Sequence, residues 1–222
     1  MVKALKCWFV LNESIHYELA YESIKYFIVN AFRYAGEEQK KRLCYNLFYP
    51  QEENKIYKRG KTYNITIRSV ESLKNIFEHV KGKNGLNIKL TGYEETEIKQ
   101  THINMLYNIT PTVVTMQNQR FWTKEDDRDF LLDALHLNLE RKYNEINNTN
   151  VRGENFIKGL TVTNRKLIKI IQANMSATFA YYGNKFEIYV NNDQYSQDLA
   201  YLALGLGLGE KNAQGCGFMG YR

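Results

Sequence analysis

The chain has 222 residues, 44% hydrophobic and 14% aromatic, enough for one large domain or two small ones with real cores. It has no run of eighteen apolar residues to span a bilayer and no secretion signal in its first residues. Cys7, Cys44 and Cys216 are too far apart for a disulfide framework or a zinc site, so a cytoplasmic chain with no metal and no cofactor is expected.

Residues 3–11 read as a strand with Leu5, Cys7, Phe9 and Leu11 on one face and Ala4, Trp8 and Val10 on the other, the pattern of a central strand. Residues 16–34 read as a helix with Leu19, Ile24, Phe27, Ile28 and Ala31 in one stripe. A strand over 43–49 follows, then one in which Tyr63, Ile65 and Ile67 alternate with Asn64, Thr66 and Arg68. A short helix over 70–80 and a strand over 86–90 complete a β-α-β-β-α-β order.

The second half repeats that order. Residues 103–115 are extended, and Thr123-Lys-Glu-Asp126 has the capping-box pattern of a helix with Leu131, Leu135 and Leu139 at fourfold spacing. Strands are expected over 161–171, 176–182 and 186–190. Asp193 caps a last helix that Gly205 ends in the left-handed conformation, and 215–221 supply the final strand. The fold class is therefore α+β, two tandem ferredoxin-like domains over residues 1–95 and 96–222.

Six of the fourteen glycines fall in the last twenty residues, interleaved with Leu204, Leu206, Leu208, Phe218 and Met219. Such apolar content argues for an ordered turn rather than a tail. A phosphate-binding P-loop is excluded because Asn212 follows Lys211 and no helix can follow. A dinucleotide fingerprint is excluded because Glu210 stands where its third glycine belongs. Two readings remain. One is a helix cap with a tight turn. The other is a set of backbone amides that, with Lys211, lie against an anionic ligand.

The net charge of +6 is concentrated. Eight Lys or Arg lie between Lys40 and Arg68, including Arg59 and Lys61, and six between Arg152 and Lys185, including Arg165 and Lys166. Each cluster fits either a solvated face or an acidic partner.

The stretch GLGLGEKNAQGCGF closely resembles the C-terminal glycine-rich motif of the CRISPR repeat-processing endoribonucleases, the Cas-six family. RLCYNLFYPQEENKIYKRGKTYNITIRS, TPTVVTMQNQRFW and FLLDALHLNLERKYNEI are similar to that family in the same order, so the resemblance spans most of the chain. It implies the two-domain fold already read from the element order. It also implies that Gly207, Gly209, Gly215 and Gly217 shape a loop whose Lys211 and Asn212 face RNA, and that Gly60 and Lys61 sit in a hairpin. The implied partner is CRISPR repeat RNA, with other effector-complex subunits and a second copy of the chain as further partners. Lys and Arg clusters suit A-form RNA, which offers phosphates and 2′-hydroxyls. Arg120, Phe121, Trp122 and Lys124 are candidates for a loop that touches it, Trp122 being equally readable as a core anchor.

The implied reaction is one metal-free cut per repeat, by attack of a 2′-hydroxyl, leaving a 2′,3′-cyclic phosphate. It needs a proton-transfer group and cationic charge stabilisation. The histidine that the family usually carries after its first helix is absent from RYAGEEQKKRLCY. Among the four histidines, His79 suits a helix end, His102 the surface and the helical His136 a solvent face, which leaves His16. The alternative is a site without histidine, built from Tyr34, Lys40 and Lys41 or from Tyr21, which would work slowly because such groups titrate near 10. A non-cleaving RNA-binding protein of the same fold is the second function class.

Overall fold

β1 (Val2–Leu11) is apolar on both faces and takes an inner place in a four-stranded sheet of the computed structural model, which describes residues 1–34, 42–78, 80, 87–117, 119–173 and 178–222. β2 (Ile15–His16), α1 (Tyr17–Tyr34), β3 (Leu43–Tyr45), β4 (Ile56–Tyr57), β5 (Thr62–Ser69), α2 (Lys74–Glu78) and β6 (Ile88–Ile98) follow. The sheet runs β3-β5-β1-β6 with antiparallel neighbours, and β2 pairs with β4 in a separate ribbon. Alternation sends Leu5, Cys7, Phe9, Ile65 and Ile67 to one side of the sheet, where Ile24, Phe27, Ile28 and Ala31 of α1 are buried with them.

The second unit comprises β7 (Met105–Asn108), α3 (Arg128–Asn147), β8 (Ile157–Val162), β9 (Ile168–Ala173), β10 (Thr178–Gly183), β11 (Phe186–Val190), α4 (Gln194–Leu206), a 3-10 turn over Asn212–Gln214, and β12 (Met219–Tyr221). Its sheet runs β12-β7-β11-β8, and the β9–β10 hairpin is an insertion paired with itself. Both four-stranded sheets thus read fourth, first, third, second in chain order, around two β-α-β-β-α-β units. The fold is α+β with two tandem ferredoxin-like units. No helix among the described residues is long and apolar enough to cross a membrane.

The two units meet where α4 lies on the face of the first sheet that α1 leaves open. A Cβ at Gly205 would stand 2.9 Å from Val2 Cγ2, and the Cys44 thiol donates to Gly205 O at 3.5 Å. Gly205 is therefore inside α4, not its end: the helix runs on to Leu206, and the glycine is there for close packing. Arg68 Nη1 donates to Met219 O at 2.6 Å, and its guanidinium lies 4.3 Å from the Phe218 ring. Tyr201 Oη accepts from Val2 N at 2.8 Å and donates to Ile98 O at 2.6 Å.

Several boundaries differ from the sequence reading: the strand over 43–49 ends at Tyr45, the helix over 70–80 covers Lys74–Glu78, and the strand over 161–171 is two, β8 and β9. β6 continues to Ile98 because its outer half pairs with β1 as far as Val2, so the expected join after residue 95 falls inside a strand. α3 begins at Arg128 with Asp127 as its cap, while Thr123 and Asp126 bond each other in a separate turn. His16 pairs with Ile56 in a strand instead of opening α1.

Candidate functional site

What the glycines approach is the protein itself. Gly207, Gly209, Gly215 and Gly217 all have positive φ and all are buried. At Gly215 (φ +86°) a Cβ would lie 2.8 Å from both Tyr21 Cδ1 and Tyr45 Cε2, so the loop of the second unit rests on aromatic rings of the first. Backbone bonds close the rest: Leu208 N donates to Gly217 O at 2.9 Å, Gly217 N to Pro111 O at 2.7 Å and Glu210 N to Val113 O at 3.0 Å. The ligand-contact reading of these four glycines is thereby corrected. Only the tip of the loop is exposed, at Lys211 and Ala213.

Asn212 also turns inward. Its Nδ2 donates to Leu208 O at 3.1 Å and to Cys216 O at 3.0 Å, which uses both amide hydrogens. Lys142 Nζ donates to Asn212 Oδ1 at 2.7 Å, to Gly207 O at 2.9 Å and to Gly209 O at 3.1 Å. One ammonium with three N–H groups thus meets three oxygen acceptors and staples the loop to α3. Burial pushes the Lys142 pKa down to about 7, with Arg141 adding to the effect.

Beside this staple lies a pocket of about 390 Å³ whose walls include Arg42, Arg141, Lys142, Lys211 and Gln214. Glu145 is its acidic member, with Oε2 4.0 Å from Arg42 Nη2. With Lys142 committed to the loop, Arg42, Arg141 and Lys211 against that one carboxylate suit a phosphate. Sequence reasoning does not single out Arg42, Arg141 or Lys142. Lys142 does leave a signal, since it lies at i+7 and i+3 from Leu135 and Leu139, on the stripe that the helix buries.

His16 and Tyr34, one from each expected catalytic set, lie at opposite ends of α1. His16 precedes α1, whose eighteen residues span about 27 Å. Arg42 lies at the far end, since the next residue, Leu43, pairs with Ser69, which pairs with Lys3 at the start of β1. His16 therefore cannot share a site with this pocket; it is exposed, with Nδ1 3.7 Å from Glu18 Oε2. Tyr34 is the last residue of α1, and Lys40, Lys41 and His79 lie outside the described residues.

Of the other described histidines, His136 takes a structural place and His102 does not. His136, expected in solvent, is 6% exposed: Nδ1 accepts from Phe156 N at 3.4 Å, and Nε2 is 3.5 Å from Glu140. His102 is exposed. Trp122 is a core residue whose Nε1 donates to Asp127 O at 2.9 Å, which settles its alternatives in favour of packing. Arg120 is held by both oxygens of Asp126. Lys61 Nζ donates to Glu52 at 2.6 Å. Arg59, Lys124, Arg165 and Lys166 are exposed, and none of them lines the pocket.

Residues 93–221 match the family model described as "CRISPR associated protein Cas6, C-terminal". A search of curated proteins finds no match. Among solved structures, a CRISPR associated protein Cas6 superimposes with a TM-score of 0.70 at 15% identity, covering 100% of both chains. A Cas6-related protein of Pyrococcus furiosus gives 0.69 at 15% identity over 100% of this chain and 99% of that one. A Thermus thermophilus Cas6 gives 0.61 at 13% identity over 100% and 98%, and 0.60 at 14% identity over 100% of both chains as a product complex.

Proposed function

Since this chain belongs to the Cas6 family of CRISPR-associated proteins, we propose that it binds CRISPR repeat RNA and cuts it once per repeat without a metal ion. The observation that carries this reading is the cationic pocket between the start of β3, α3 and the tip of the glycine-rich loop. A scissile phosphate seated there has Arg42, Arg141 and Lys211 around it. Their charge stabilises the phosphorane that forms when the neighbouring 2′-hydroxyl attacks, and the products are a 2′,3′-cyclic phosphate and a 5′-hydroxyl. Lys142 acts on the loop and not on the RNA, because its three N–H groups are spent on the protein. Support for RNA as the ligand also comes from a structural neighbour described as a RAMP protein binding different RNA substrates, with a TM-score of 0.68 at 14% identity over 99% of both chains.

Proton transfer falls to Tyr34 and Lys40, which precede Arg42 in the chain. Groups that titrate near 10 are mostly protonated at pH 7, so the cut is slow and accelerates as pH rises. The second reading, binding without cleavage, is favoured by one observation: no histidine among the described residues lines the pocket.

The test is single-turnover cleavage of labelled repeat RNA in excess EDTA. The parent is expected to cut, Arg42→Ala to be slower by roughly 10²-fold, and His16→Ala to match the parent. Lys40→Ala is expected to lose most of the rate at unchanged affinity. Tight binding with no product from the parent would establish the second reading.

Lys211→Ala tests the exposed loop tip separately. It is expected to weaken repeat binding and to lower the slope of log K against log salt by about 1, one phosphate contact being lost. An unchanged slope would remove Lys211 from the interface.

A further inference from the structure

The cationic pocket holds one residue whose presence the fold does not account for. Glu145 lies in the last turn of α3, where the helix macrodipole disfavours a negative charge. It accepts no hydrogen bond among the described residues, and Arg42 is its one ion-pair partner there. That pair is 4.0 Å apart between half-exposed side chains, a geometry that contributes little to stability. Lys142, one turn earlier on α3, is spent on the loop and cannot neutralise it.

Glu145 also works against the pocket, because its carboxylate repels the phosphate that Arg42, Arg141 and Lys211 attract. A carboxylate has only acceptors to offer, so a ligand that suits both halves of this wall carries a donor beside its phosphate. In a nucleic acid backbone that donor exists in RNA alone, as the ribose 2′-hydroxyl. A phosphate seated on Arg42 brings the adjoining ribose to Glu145, since the two side chains stand 4.0 Å apart.

We propose that Glu145 selects ribose over deoxyribose at the nucleotide that precedes the scissile phosphate, by accepting a hydrogen bond from its 2′-hydroxyl. This role rests on the RNA-cleaving reading above and gives it a specificity residue. A hydrogen bond to a charged acceptor is short and directional, so it also fixes the orientation of the attacking oxygen. Proton transfer stays with the residues named for it. With deoxyribose in place the repulsion between carboxylate and phosphate has nothing to offset it, so one side chain favours the right sugar and penalises the wrong one.

The test is binding of the full chain at pH 6, where cleavage is slowest, to a panel of repeat RNAs. Each RNA carries a single 2′-deoxynucleotide, at a different position, and the parent is compared with Glu145→Ala and Glu145→Gln. At one position the parent is expected to lose about tenfold in affinity and Glu145→Gln, whose amide oxygen still accepts, about threefold. Glu145→Ala is expected to be indifferent to the same substitution. In a parent that cuts, this position is the nucleotide directly before the cut, and a sensitive position elsewhere would overturn the proposal. A deoxy penalty that is the same in the parent and Glu145→Ala at every position would also overturn it, while leaving the RNA-binding reading in place. So would a Glu145→Ala that weakens every RNA of the panel by one common factor, which marks a residue that only orients Arg42. A parent that binds no repeat RNA would overturn both readings together.

Discussion

Gly217→Ala is expected to destabilise the protein by roughly 3 kcal/mol, a loss of about 6–12 °C in melting temperature for a chain of this size. Gly217 has φ +69°, and its N–H and C=O are both committed, to Pro111 and to Leu208. A methyl group there collides with Leu208 O and stands 2.8 Å from Asn212 Nδ2. The left-handed conformation accounts for about 1 kcal/mol of the loss and the collision for the rest. Gly60→Ala separates the two, since Gly60 has φ +75° but no atom within 4 Å of the place its methyl group would take. It is expected to lose about 1 kcal/mol only. Equal melting points for the two variants, measured by calorimetry, would mean that the loop is not tightly closed at Gly217. Because the collision also displaces Asn212, Gly217→Ala is expected to weaken repeat binding, whereas Gly60→Ala is not.

Much of the architecture is legible because it is written in periodicity. The alternation of Tyr63, Ile65 and Ile67 becomes β5, and the stripe through Ile24, Phe27, Ile28 and Ala31 becomes the buried side of α1. Asp193 caps α4 as expected, accepting from Ser196 N at 2.9 Å. The features that escape a sequence reading depend on contacts between distant segments. Nothing near His16 announces that Ile56 will pair with it, and nothing near Gly205 announces Val2. The glycine stretch reads as ordered, but its neighbours in space are Tyr21, Tyr45 and Pro111 of other segments. The polarity of one residue assigns His136 to solvent, although Leu135 and Leu139 beside it are buried with it. Lys142 shows the same limit from the other side, because a lysine on an apolar stripe signals a buried acceptor set without naming it.

Lys142→Met is expected to alter stability in a way that depends on pH, and the sign follows from the lowered pKa of about 7. Below pH 7 Lys142 carries its proton whether the chain is folded or not, so it contributes no slope. Between pH 7 and the ordinary lysine value near 10.4 the unfolded chain holds a proton that the folded chain has released, and stability rises with pH. The residual exposure of the part-buried side chain and its three oxygen acceptors moderate the rise to about 2 kcal/mol across that window. The parent should therefore gain stability over Lys142→Met as pH is raised from 7 to 9.5, and the two should run parallel below pH 6.5. Urea midpoints measured across this range check it, and parallel curves throughout would show that the ammonium stays charged. On the proposed function, bound RNA is expected to reverse the balance: a phosphate among Arg42, Arg141 and Lys211 would favour the ammonium, which alone can satisfy Gly207 O, Gly209 O and Asn212 Oδ1 together. Repeat binding near pH 8 is then accompanied by proton uptake that Lys142→Met abolishes, seen as a buffer-dependent heat of binding in the parent only.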